Sequence, residues 1–188
     1  SFKHGKAISI GQLQVTPFRK SHDAADPHSF MVSGAGVNIG IITDIGYACK
    51  RVIKYFGQCH AAFLESNYCE DMLEKGSYPY HLKKRIRSDE GHLSNAQALE
   101  LFQHYRSPFL QLLVLSHLSK NNNKPDVVKK LFASHAGDVK VLIASRYEAS
   151  KVFEISGKGV VSRNPDSYRD AKGSQRRKGT KEGQLSLF

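Results

Sequence analysis

Four apolar segments each end in a side chain able to bind a metal ion or move a proton: "VTPFRKSH" at His22, "GIITD" at Asp44, "AAFLE" at Glu65 and "LLVLSH" at His117. Each segment has the composition of a buried or half-buried β-strand. If the strands are neighbours in one sheet, their ends gather two imidazoles and two carboxylates along one rim. That donor mixture suits zinc, or manganese where oxygen donors are more numerous. One histidine after a strand is most often a loop residue or a hydrogen-bonded core group, and "TD" is commonly a turn. The repetition at four strand ends is what points to a metal-dependent hydrolase.

Positioning those residues requires strands alternating with helices. Residues 7–18 alternate apolar and polar around Gly11, predicting a hairpin, and "SFMV" and "VNIGIIT" bracket a glycine-rich turn at residues 33–36. Helices are predicted around residues 47–56 and 71–75, the second closed by Gly76, with the strand at residues 61–65 between them. Ser94 followed by Gln97 forms a capping box, so a helix should run from Asn95 to Arg106 and stop before Pro108. A strand over residues 109–117 follows, then a helix with Pro125 in its first turn, and last strands at residues 139–144 and 152–155.

The chain has 188 residues and 40% hydrophobic content, enough for one domain with a proper core. Lys and Arg number 28 against 17 Asp and Glu, a net charge of +11 that favours a polyanionic partner over a neutral one. Cys49, Cys59 and Cys69 are too few and too irregular for a disulfide framework, so a reducing, cytoplasmic setting is expected. The apolar runs are too short to span a bilayer and no membrane partner is expected. After residue 161 the composition changes to glycine, lysine and arginine. Residues 162–183 are expected to be a disordered basic linker ahead of the apolar peptide "QLSLF" at residues 184–188.

The order "SHDAADP", "GIITDIG", "LESN", "GSYPYHLKKRIRSDEGHLSN" and "LVLSHLSKNNN" resembles the metallo-β-lactamase superfamily, and within it the YycJ (WalJ) group of nucleases. The similarity covers roughly residues 8–156, and "YP..LK.RI....GHLSN" is its most specific part. The resemblance implies a four-layer αββα sandwich, incomplete in this chain, with a site for two divalent metal ions at one edge. It assigns His22, Asp44 and His117 as metal ligands, with Asp44 as the carboxylate that bridges both ions. By similarity to the related tRNase Z group, Glu65 and His92 form a catalytic dyad in which the carboxylate orients the imidazole beside the scissile phosphate. The alternative for His92 is a residue of the turn before the helix that Ser94 caps, but a cap has no use for an imidazole.

Ser94, Asn95 and the first amides of that helix are further candidates to receive a phosphate oxygen. Lys83, Lys84 and Arg85, flanked by Tyr78 and Tyr80, either hold a nucleic-acid backbone or form a solvated helix face. One departure is large. The superfamily's HxHxDH segment is absent, His4 cannot replace it, and Tyr68 stands where related sequences often carry histidine. A chain beginning at Ser1 is therefore expected to be the C-terminal portion of a longer protein, inactive without the upstream ligands.

Gln184, Leu185, Ser186, Leu187 and Phe188 resemble the peptide by which bacterial replication and repair proteins bind the sliding clamp. The combined expectation is a clamp-tethered DNA exonuclease, 5′ to 3′ on single-stranded or nicked DNA, in repair or replication, with RNA as a possible substrate. Two alternatives stay open. One is a hydrolase of small esters or thioesters, since the fold is shared; the other is a non-catalytic clamp-binding module.

Overall fold

The computed structural model describes residues 3–156, 159–163 and 185–187. Strands β1 (Ile8–Ile10), β2 (Leu13–Arg19), β3 (His28–Gly34) and β4 (Val37–Ile42) form an antiparallel meander. The β3–β4 turn is tight because Ala35 and Gly36 both take positive φ, 49° and 76°, the two-residue geometry whose twist matches that of a hairpin. Pro17 sits in β2 beyond the reach of the three-residue β1, so its missing N–H interrupts no ladder.

From β4 onward the connections are helical and the strands parallel. Helix α1 (Lys50–Phe56) leads to β5 (Ala61–Glu65). Helices α2 (Glu70–Lys75), α3 (Tyr80–Arg87) and α4 (Asn95–Tyr105) lead to β6 (Leu112–Ser116), and α5 (Pro125–Ala133) leads to β7 (Lys140–Ile143). The seven strands lie in sequence order in one sheet. The capping box is formed: Ser94 Oγ accepts from the Gln97 N–H at 3.2 Å, and Gln97 Oε1 accepts from the Ser94 N–H at 2.9 Å. Among the described residues no helix is long and apolar enough to cross a membrane.

Each sheet face has its own cover. Phe18, Met31, Ile42, Leu64 and Leu115 pack against Val52 and Phe56 of α1, Leu101 and Phe102 of α4, and Val128 and Phe132 of α5. On the opposite face Val37, Ile39, Ala61, Leu112 and Val114 meet Phe153 and Ile155 of β8 (Val152–Ser156). β8 is the middle of a second sheet, between β9 (Gly159–Arg163) and β10 (Leu185–Leu187), both antiparallel to it. The described layers are thus helices, sheet and sheet, three of the expected four.

Three expectations change. Helix α3 was foreseen only as the solvated face that was one alternative for the basic stretch, because none of its residues is fully buried and its charge hides the Leu82–Ile86 spacing. The linker cannot begin at residue 162, since Ser162 and Arg163 belong to β9 and pair with Phe153 and Val152; residues 164–183 lie outside those described. Leu185 to Leu187 of the expected free peptide pair with Ile155 to Phe153 as β10, while Gln184 and Phe188 lie outside the described residues.

Candidate metal centre

The parallel register brings the chemistry to one edge. Ile42 pairs with Leu64, Leu64 with Leu115, and Glu65 with Ser116, so Asp44, Glu65 and His117 emerge side by side at the carboxyl ends of β4, β5 and β6. β2 runs in the same direction as β4, because each is antiparallel to β3, and delivers His22 to the same edge. Asp44 and His117 adopt φ of 55° and 58°. Apart from Ala35 they are the only non-glycine residues with positive φ among those described, and backbone strain of this kind collects at functional sites. The amide of Asn67 secures His117 by donating to its carbonyl oxygen at 2.8 Å.

His92 arrives from a different direction, on the loop between α3 and α4. That loop lies so close to its neighbours that a Cβ at Gly46 would overlap the Asp89 carbonyl, and one at Gly91 would overlap the Arg85 and Ile86 carbonyls. Ser21 Oγ donates to Asp89 O at 2.6 Å and the Asp23 N–H donates to Glu90 O at 2.9 Å, fastening the loop to the segment that carries His22.

At the centre is Glu65, fully buried. Its Oε1 accepts from His92 Nδ1 at 2.8 Å and from His117 Nδ1 at 2.7 Å, and its Oε2 accepts from the Ile45 and Leu93 N–H groups at 2.7 and 3.3 Å. Burial pushes its carboxyl up, but the His117 and His92 hydrogen bonds, the His92 charge and the Ile45 N–H together hold it below the usual carboxylate range. Conversely, the Glu65 hydrogen bond raises the His117 imidazole, with the Glu65 and Asp44 charges adding to it against the effect of burial. His22 Nδ1 donates to Gly91 O at 2.9 Å; a carbonyl can only accept, so Nδ1 carries the hydrogen and Nε2 faces Asp44 Oδ1 at 3.8 Å.

The structure therefore gathers His22, Asp44, Glu65, His92 and His117. The His92 ring lies 5.1 Å from that of His22 and 5.2 Å from that of His117. It does not leave Ser94 and Asn95 for a substrate. Both are buried, Ser94 Oγ serves the cap, the Asn95 N–H donates to Tyr68 O, and the Asn95 side chain bonds Ser66 and Asn123. Buried asparagines need such partners, and these two complete each other. Of the basic stretch, Arg85 pairs with Asp23 at 2.5 Å, Lys83 donates to Glu74 O at 2.5 Å, and Lys84 is exposed.

Sequence reasoning missed Lys20. Its ammonium donates to Thr43 O at 2.6 Å, and burial lowers its pKa against the opposing pull of Asp44 and Glu65. Its position two residues before His22 was the available signal. Asn123 is a buried brace that donates to the Ser66 and Asn67 carbonyls at 2.9 and 3.0 Å.

The donor set fits a divalent ion. Ligand atoms of Asp44, Glu65, His92 and His117 all lie within 4.8 Å of one another. Glu65 already accepts four hydrogen bonds, so it orients both imidazoles through Nδ1–H and leaves their Nε2 atoms free of it.

A mixed sheet with helices on one face, a second sheet on the other and an imidazole–carboxylate cluster at its edge defines a protein of the metallo-β-lactamase fold. Solved structures agree. The metallo-β-lactamase fold protein YhfI from Bacillus subtilis matches over 77% of this chain and 52% of its own, with TM-score 0.59 and 15% identity. Zn(2+)-bound PqqB from Methylobacterium extorquens matches over 76% and 52%, with TM-score 0.54 and 14% identity. In sequence the chain is 32% identical over 154 residues to exodeoxyribonuclease YycJ of Bacillus anthracis, covering 82% of this chain and 56% of the relative. It is 33% identical over 162 residues to exodeoxyribonuclease WalJ of Streptococcus pneumoniae, covering 82% and 60%. The chain is thus similar to the YycJ and WalJ exodeoxyribonucleases and spans somewhat more than half their length. No protein-family model matches it.

Proposed function

We propose that this chain forms part of a metal-dependent phosphodiesterase acting on DNA from a 5′ end. The observation that carries the reading is the sharing of Glu65 between His92 and His117 beside Asp44. His22, Asp44 and His117 would hold the metal, zinc or manganese. When bound, two divalent ions would activate water and neutralise charge that grows on a phosphate. Glu65 keeps the Nδ1 hydrogens of both imidazoles in place, so His92 offers Nε2 as the atom that passes a proton to the leaving oxygen. Three side-chain donors do not complete the coordination of two ions, so further ligands from outside these 188 residues belong to the proposal.

The relatives' name, exodeoxyribonuclease, supports DNA as the substrate, and the charge of +11 suits a polyanion. RNA is the comparison substrate in the test. We place the enzyme in the cytoplasm, in repair or replication, tethered to the sliding clamp by residues 184–188. Because Leu185 to Leu187 are also β10, clamp binding requires that strand to leave β8. The test is cleavage of end-labelled single-stranded, nicked and RNA oligonucleotides by the full-length protein, with and without chelator. Chelator-sensitive release of nucleotides from the 5′ end of DNA is expected. Intact substrates throughout, with Asp44→Ala changing nothing, would refute the reading.

A further inference from the structure

Beside the metal centre are two cavities, of about 470 and 340 Å³, each within the size range that admits a nucleotide-sized ligand. They are halves of one groove, for His117, Leu118, Ser119, Lys120 and Arg146 line both. One half adds His92, Tyr78 and Arg85; the other adds Tyr147 and residues at the end of β7.

The lining of this groove is basic. No aspartate or glutamate lines either half. Within the groove Arg85 is matched by Asp23, as Arg19 and Arg87 elsewhere are by Asp26 and Glu74, whereas among the described residues Lys120 and Arg146 form no ion pair. Arg146 instead donates to Leu118 O at 2.5 Å, which lays its guanidinium across the floor shared by the two halves. Two cations without a carboxylate partner beside His117 are suited to hold backbone phosphates of a polynucleotide engaged at the metal centre.

Tyr147 completes the arrangement. It is 81% exposed, and its turn is not loose: Ser145 Oγ accepts from both the Tyr147 and Glu148 N–H groups at 3.1 Å. An aromatic ring held out beside a basic groove is the platform on which an unstacked base of a single strand stacks, whereas a base inside a duplex has both faces covered by its neighbours.

Resting on the phosphodiesterase reading above, we propose that Lys120, Arg146 and Tyr147 form a binding subsite for single-stranded nucleic acid, the cations holding phosphates and the tyrosine stacking on a base next to the cleaved bond. The test uses full-length protein with Tyr147→Ala, Tyr147→Phe, the Lys120→Ala/Arg146→Ala double variant, and Lys129→Ala on α5 as a control. Oligothymidylate affinity is read by fluorescence anisotropy in chelator at several salt concentrations, and turnover is read on the same oligonucleotide and on bis(p-nitrophenyl) phosphate.

Tyr147→Ala should weaken binding about 10-fold or more, with Phe restoring it. The double variant should flatten the slope of log affinity against log salt by about 1.4. Turnover of the small diester should be unchanged in every variant. Wild-type affinity and oligonucleotide turnover in the variants would overturn the subsite and leave the phosphodiesterase intact. Equal losses on the small diester would also overturn it, by showing damage to the metal centre. A wild-type protein inert towards both substrates would instead remove the reading on which the subsite rests.

Discussion

His92 and His117 share one carboxylate oxygen: both Nδ1 atoms meet Glu65 Oε1, at 2.8 and 2.7 Å, although the two histidines come from a loop and a strand end 25 positions apart. A single buried charge therefore sets the orientation of the residue assigned to proton transfer and of one assigned to metal binding. Glu65→Gln keeps the volume but removes the charge. Its expected effect is a loss of about 10- to 100-fold in full-length activity on a small phosphodiester. A urea titration should show the variant folded, which separates a fault of orientation from one of folding.

Asp44 combines an assigned ligand with a φ of 55°. Asparagine tolerates that conformation better than alanine does. Asp44→Asn should retain the wild-type melting temperature while losing calorimetric uptake of zinc or manganese. Asp44→Ala should lose both, with about 1 kcal/mol of added backbone strain.

Gly91 has a carbonyl that holds His22 Nδ1 and a Cα that admits no side chain beside the Arg85 and Ile86 carbonyls. Gly91→Ala must push the loop outward, moving His92 away from Glu65 and loosening His22 together. Activity should fall by about 100-fold or more for a displacement on the order of 1 Å. Shifted imidazole signals of both His22 and His92 in NMR spectra would identify the cause.

The C-terminal peptide pairs as strand β10, and the proposed use as a clamp ligand is incompatible with that pairing. Deleting residues 184–188 should abolish retention on an immobilised clamp and leave cleavage of free oligonucleotides unchanged. In the intact protein, clamp binding should accelerate hydrogen exchange at amides of β8, since that strand loses its neighbour. Unchanged exchange on a clamp-bound sample would show that β10 and the bound peptide are different residues.

Much of the scaffold could be read from local chemistry. Alternation around Gly11 marked the first hairpin, the Ser94 and Gln97 pair marked the start of α4, and Pro125 marked the start of α5. These signals are short-range, each relating residues a few positions apart. Helix α3 was legible only as one alternative because it buries no residue fully, and β9 escaped because its two valines precede a segment whose composition argues against order.

The sequence by itself determined which donors are present, and that four of them follow strands, because residue type and strand polarity are properties of the chain. Only the tertiary structure decided which donors meet and what each is free to do. It turned Ser94 and Asn95 inward, where a cap and an asparagine pair consume their hydrogen bonds. It brought Lys20 into the field of Asp44 and Glu65, and set Lys120, Arg146 and Tyr147 along one groove. The physical reason is that hydrogen-bonding capacity is finite and distance-dependent. Which of two competing partners a side chain takes is settled only when the strands are in register and the loops are packed.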